Sequence, residues 1–248
     1  MKHALVKDIF RTMGKEKKRF FSILLITALG VAMMTGLRAA CNDLRYSADA
    51  LYDEQALFDI QVSSTLGLDD DDIEALKTLD EVCGTEGEYS ATVYTDIEEA
   101  HQDVKVRVLG EKINIPTVVE GTLPQAENEI AVTEGYLLDS GKQIGDTLTF
   151  TESDSDEEEA VFADTEYVIT AEILDPFDVN NREGSTSFRS SASEEYTFYV
   201  TSSAANVDYY TAAYVLVEGA DELMCYSDEY IQLISDVKTK INDTLKEK

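Results

Sequence analysis

The chain of 248 residues predicts an α+β fold carried outside a membrane by a single N-terminal helix, and three observations lead there. An uncharged apolar run occupies residues 20–37, the charge changes sign across it, and beyond it short alternating segments are mixed irregularly with helical ones. The expected order is a transmembrane helix continuing into a stalk, then a mixed α/β extracytoplasmic domain, then a long C-terminal helix resembling the start of a coiled coil.

The apolar run Phe20–Leu37 reads FFSILLITALGVAMMTGL, eighteen residues without a charge. At ~1.5 Å per residue it spans about 27 Å, enough to cross a bilayer. Lys15, Lys17, Lys18 and Arg19 crowd its N-terminal end, which places the N-terminus in the cytoplasm and residue 38 onward outside. A cleaved signal peptide is the rival reading, but Arg38 interrupts the small-residue exit Gly36-Leu37-Arg38-Ala39-Ala40-Cys41 that a peptidase would need. The same arginine argues against a lipoprotein cleavage before Cys41. Ahead of the span, Leu5, Val6, Ile9, Phe10 and Met13 fall within about 140° on a helical wheel, opposite Lys7, Arg11, Lys15 and Lys18. Residues 1–19 therefore read as an amphipathic segment lying in the lipid interface or as a basic topology signal.

After the span, Leu44, Ala48 and Leu51 recur at helical spacing, so residues 38–57 read as a stalk. The outer domain is expected over 58–220. Phe58–Ser63 alternates as a strand, and Asp69 is placed to cap a helix running to Leu79, with Asp70–Asp72 at the positive end of its dipole. The aspartate run lacks the Asp-x-Asp-x-Asp-Gly spacing of a calcium loop and reads as a solvated helix start. Further strands are expected at Glu88–Tyr94, Val104–Leu109, Glu129–Val132, Thr147–Thr151, Glu166–Ile173, Tyr196–Val200 and Ala213–Val217, with a short helix at Thr133–Ser140. The acidic run Glu152–Glu159 reads as a solvated hairpin tip. Residues 221–248 form the C-terminal helix, whose stripe Tyr230, Ile234, Val237, Ile241, Leu245 resembles about two coiled-coil heptads. It stops without a C-cap, so the biological chain is expected to continue.

Composition narrows the function. Through Arg19, seven Lys/Arg face two acids; the other 13 of the 20 bases face 48 of the 50 acids, a net −35. Such a domain repels nucleic acid. The three cysteines, Cys41, Cys83 and Cys225, show no metal or dithiol spacing and permit at most one internal bridge, for which Cys83 with Cys225 avoids the membrane-proximal Cys41. His101 is the one histidine beyond the span and is expected on an exposed turn. No phosphate loop, H-E-x-x-H or G-x-S-x-G is present, so no catalytic residue, metal or cofactor is expected.

Several short motifs follow one another along the chain in a distinctive order. They include Lys17-Lys18-Arg19-Phe20-Phe21-Ser22-Ile23, Ala28-Leu29-Gly30-Val31, Thr35-Gly36-Leu37-Arg38-Ala39 and Tyr52-Asp53-Glu54. Phe58-Asp59-Ile60-Gln61-Val62, Ser64-Thr65-Leu66-Gly67-Leu68, Glu88-Tyr89-Ser90-Ala91 and Val119-Glu120-Gly121-Thr122-Leu123-Pro124 follow. Asn128-Glu129-Ile130-Ala131-Val132, Ile144-Gly145-Asp146-Thr147 and Tyr226-Ser227-Asp228-Glu229-Tyr230 complete the series, with Gly121 and Gly145 expected to serve turns. In this order the motifs resemble the FtsX-like or MacB-like permease subunits of ABC transport systems, and the resemblance implies a MacB-like periplasmic core domain, a lipid-embedded permease subunit, a cytoplasmic ABC ATPase and a second permease copy as partners, and an outer domain that couples ATP hydrolysis to export or partner regulation. Its coupling stalk would run through Leu44, Ala48 and Leu51. Family members carry three further membrane helices, so the chain reads as an N-terminal piece. The alternative is a single-pass, membrane-anchored extracellular binding or sensor domain without an ATPase; an anchored hydrolase lacks the residues.

Overall fold

The computed structural model describes residues 16–97, 100–152, 162, 166–177, 196–205 and 207–246. The chain divides into a unit of residues 1–49 and a unit of residues 50–248. Helix α1, Lys17–Glu54, is long and apolar enough to cross a membrane, and none of its residues is buried in protein. Lys17, Lys18 and Arg19 are exposed at its start. Lys15 and the amphipathic segment before it lie outside the described residues. Helical structure ends at Glu54, short of the expected 57, because Ala56 adopts a left-handed φ of 46°.

The second unit contains two sheets. Strands β1 (Ile60–Val62), β11 (Ala212–Val217) and β2 (Val82–Glu88) form the smaller, antiparallel one in the order β1-β11-β2. The larger holds β3 (Ser90–Ile97), β4 (Ala100–Val108), β5 (Thr117–Gly121), β6 (Glu129–Thr133), β7 (Thr147–Thr149), β8 (Thr151–Glu152), β9 (Glu166–Leu174) and β10 (Tyr196–Val200). Its order is β5-β9-β6-β10-β4-β3-β8, mixed because β6 pairs in parallel with β9 and β4 with β10. β5 and β7 share the remaining edge of β9, one opposite 171–174 and the other opposite 166–168.

Each sheet buries one face against helices. Helix α2 (Asp70–Lys77) and helix α4 (Asp228–Lys246) cover the smaller sheet, where Ile73, Leu76, Val237 and Ile241 pack with Ile60, Val215 and Val217. Tyr230, Ile234 and Leu245 pack against the same cluster. The stripe that resembles the opening of a coiled coil is thus satisfied by the domain's own core. That helix begins at Asp228 rather than 221, after a run of turns. Helix α3 (Glu134–Ser140) inserts Tyr136 into the core of the larger sheet beside Phe198, with Val104, Val106, Ile130 and Ile169.

Local chemistry explains several ends. Asp69 accepts from the Asp72 backbone N–H while the Asp72 carboxylate accepts from the Asp69 N–H, a reciprocal cap that makes the aspartate run a helix start. Three strands depart from the sequence reading. Val82–Glu88, with its two glycines, has no apolar alternation and becomes a strand through its register with β11. Gly121, expected to serve a turn, is the last residue of β5, and His101, expected on an exposed turn, sits in β4 opposite Asp96 because the β3–β4 pairing extends past the expected strand ends. Of the acidic run 152–159, Glu152 belongs to β8 and the rest lies outside the described residues. Gly121 has φ +88°, and a Cβ there would stand 2.1 Å from the Thr170 carbonyl oxygen. Gly121→Ala is expected to destabilise the unit by about 1–3 kcal/mol from backbone strain, measured by urea unfolding; an unchanged midpoint would refute this role for the glycine.

Candidate functional site

The most highly organised polar region of the second unit lies where α1 ends. Ala50–Glu54, the last residues of that helix, already belong to this unit. Gln55, which is only 2% exposed, donates from Nε2 to Thr117 Oγ1 at 3.1 Å, and its carbonyl accepts from the Ile115 N–H at 3.0 Å. The Ala56 carbonyl accepts from the Asn114 N–H at 3.0 Å, and Asn114 Oδ1 accepts from the Phe58 N–H at 3.0 Å. Four hydrogen bonds therefore clamp residues 55–58 to the segment 114–117. The geometry needs two left-handed non-glycine residues, Ala56 and Asn114 (φ 57°); asparagine tolerates that conformation better than most residues.

Beyond this clamp the chain enters an aromatic cluster. The Phe58 ring centroid lies 4.7 Å from that of Tyr214 and 5.6 Å from that of Phe177, and these two are themselves 5.6 Å apart. The Arg107 guanidinium stands 3.8 Å over the Phe177 ring, a cation–π geometry. Arg107 also donates to Glu88 Oε1 at 2.6 Å and to the Tyr214 hydroxyl at 3.4 Å. Glu88 is on β2 and Arg107 on β4, so this buried ion pair ties the smaller sheet to the larger. Tyr199 on β10 donates to Asp175 Oδ1 at 2.9 Å beside it.

The electrostatics reflect burial. Glu88 is pushed above the usual carboxylate range by loss of solvent, although Arg107 pulls it the other way. Burial works against the Arg107 cation, yet Glu88 and the neighbouring oxygens hold it above its ordinary value. Burial, then Glu88, raises Tyr214 to about 12, and burial with Asp175 raises Tyr199 well above the ordinary tyrosine value. Together Glu88, Arg107 and Tyr214 make a buried polar joint between the two sheets.

Of the residues expected from sequence to couple membrane and domain, Leu44 is 72% exposed while Ala48 and Leu51 are partly covered, all on α1. None of the three takes part in the clamp. Gln55, Asn114 and Thr117 do, and no spacing signal marked them. Cys83 carries a free, exposed thiol on β2, so it forms no bridge to Cys225. Among the described residues no group of His, Cys, Asp and Glu could hold a metal ion.

No protein-family model and no curated protein sequence matches the chain. Among solved structures it is similar to the extracellular domain of the noncanonic ABC-type transporter YknZ from Gram-positive bacteria, at 13% identity and a TM-score of 0.42, over 70% of this chain and 85% of that one. It is also similar to the periplasmic region of MacB from Actinobacillus actinomycetemcomitans, at 10% identity and a TM-score of 0.41, over 75% of this chain and 83% of that one.

Proposed function

We propose that this chain is the permease subunit, or the N-terminal part of one, of an ABC transport or mechanotransmission system. Its outer domain would couple cytoplasmic ATP hydrolysis to export of a substrate or regulation of an extracytoplasmic partner. The observation that carries the reading is the unbroken helix Lys17–Glu54, followed without a linker by the clamped residues 55–58. A domain that merely binds a ligand tolerates a flexible tether; force transmission requires a stiff one. The ordered sequence motifs support the same assignment, with the lipid bilayer, a cytoplasmic ABC ATPase and a second permease copy as partners.

Topology is the first test. Protease added to intact cells is expected to digest residues beyond Arg38 and leave a membrane-held N-terminal fragment, whereas release of the intact outer domain into the medium would show a cleaved signal. Reversing Lys15, Lys17, Lys18 and Arg19 to glutamate is expected to disturb the orientation. Cross-linking in membranes of cells that make the chain is then expected to capture a Walker-motif ATPase on the cytoplasmic side. Efficient cross-linking that yields no ATPase would replace the permease reading by that of a passive binding domain.

A further inference from the structure

A groove of about 970 Å³ runs along the edge of β2 that faces away from β11. Five consecutive residues of that strand, Cys83 to Gly87, line it, with α2 contributing to its lining through Ile73 and the segment after β4 through Gly110–Ile113. Five residues of strand are about 17 Å long, the span of a short added strand. Among the described residues β2 is an edge strand, seven residues long, and it contains neither the proline nor the lysine that commonly blunts an exposed edge. Its single register shift falls at Cys83, which leaves Gly84–Glu88 regularly paired with β11 on the inner side. The outer strand β5 differs: its register breaks in mid-strand, between Val118 and Glu120.

The groove walls are held in place independently of any occupant. The Glu86 carboxylate accepts from the backbone N–H groups of Glu111, Lys112 and Ile113 at 3.1, 2.8 and 3.2 Å, which fixes the segment after β4. On the opposite side Tyr210 lies against Gly87, where a Cβ would stand 2.5 Å from its ring, and donates to Asp70 Oδ1 on α2. Thr85 lines the groove and is more than nine-tenths buried, yet its Oγ1 has no hydrogen-bond partner among the described residues.

Charge selects the occupant. The lining carries four acids, Asp70, Glu74, Glu86 and Glu111, against Lys77 and Lys112, and Lys77 is already bridged to Glu74. The domain around it has an excess of 35 acids over bases. We infer that this groove binds an extended, basic polypeptide segment, which adds as a strand to the free edge of β2. Backbone pairing with β2 supplies register and Lys or Arg side chains answer the acidic walls.

The test uses the full chain in nanodiscs of neutral lipid and a fluorescent octapeptide of alternating Val and Lys, read by anisotropy. Saturable binding is expected. N-methylation of alternate peptide bonds removes the donors along one edge, and for the pairing edge binding should weaken by about tenfold or more. A Val/Glu peptide should fail to bind. Thr85→Pro, checked for an unchanged melting temperature, should weaken binding to a similar degree; if that variant unfolds, the N-methylated peptides decide alone. Equal binding of both N-methylated registers and the parent would overturn strand addition in favour of general attraction to an acidic surface. Equal binding of the Val/Glu peptide would overturn the basic occupant. Absence of binding up to millimolar peptide, or self-association of the chain through this edge, would overturn the proposal as a whole.

Discussion

Arg107→Met alone is expected to lower the unfolding free energy of residues 50–248 by about 3–5 kcal/mol, because it leaves Glu88 buried with no cation beside it. The second half of the prediction separates a joint from a simple strut. Replacing both partners, Glu88→Leu with Arg107→Met, should recover most of that loss, since taking the two charges out of water costs about as much as their attraction returns. The raised position of Glu88 fits this balance, since burial there outweighs the pull of Arg107. A carboxyl raised by folding contributes stability that is full below its unfolded value, near pH 4.3, and lost as pH rises through the folded value. The deficit of Arg107→Met should therefore widen from acid toward neutral pH, because without arginine Glu88 rises further. Urea unfolding of the single and double variants at several pH values measures all of this. A loss below about 1 kcal/mol in the single variant would show that water reaches the pair and that it contributes little.

On the proposed function, interrupting α1 at Leu44 and Ala48, with Gly-Gly or with one proline, is expected to abolish transport or signalling output of the assembled permease while ATP turnover persists. The local cost is about 1 kcal/mol per glycine and about 3 kcal/mol for proline in a helix interior. That cost falls on residues 44 and 48, whereas the outer unit begins at Ala50 and its buried core at Gln55 and Ile60, so melting of the outer unit should not change. Substituting Asn114→Ala offers a milder version, removing the side-chain acceptor of the Phe58 N–H without touching the helix. Full output from a chain whose α1 is demonstrably broken would eliminate the lever and leave a passive ectodomain.

Where a residue's role follows from its neighbours in sequence, it was legible. Phe20–Leu37 carries its own hydrophobicity, Asp69 needs only Asp72 three residues on, and the alternation of Glu166–Ile173 matches the alternating burial along β9. The boundaries of α4 were blurred because Asp221–Ser227 holds the good helix formers Glu222, Leu223 and Met224 yet forms turns.

The sequence by itself determined a helix long and apolar enough to cross a membrane, the sign of charge on either side of it, the α+β class and most strands, because hydrophobic period and capping are local properties. Tertiary structure alone decided that Val82–Glu88 is a strand, since its two glycines and acids extend only when β11 supplies the hydrogen bonds. It alone turned the apolar stripe of α4 toward the smaller sheet. Only folding, too, brought Glu88 to Arg107 and Gln55 to Thr117, partners 19 and 62 residues apart. An ion pair or a clamp of that separation leaves no periodic trace in a chain with 50 acids, where any one carboxylate looks like the next until burial singles it out.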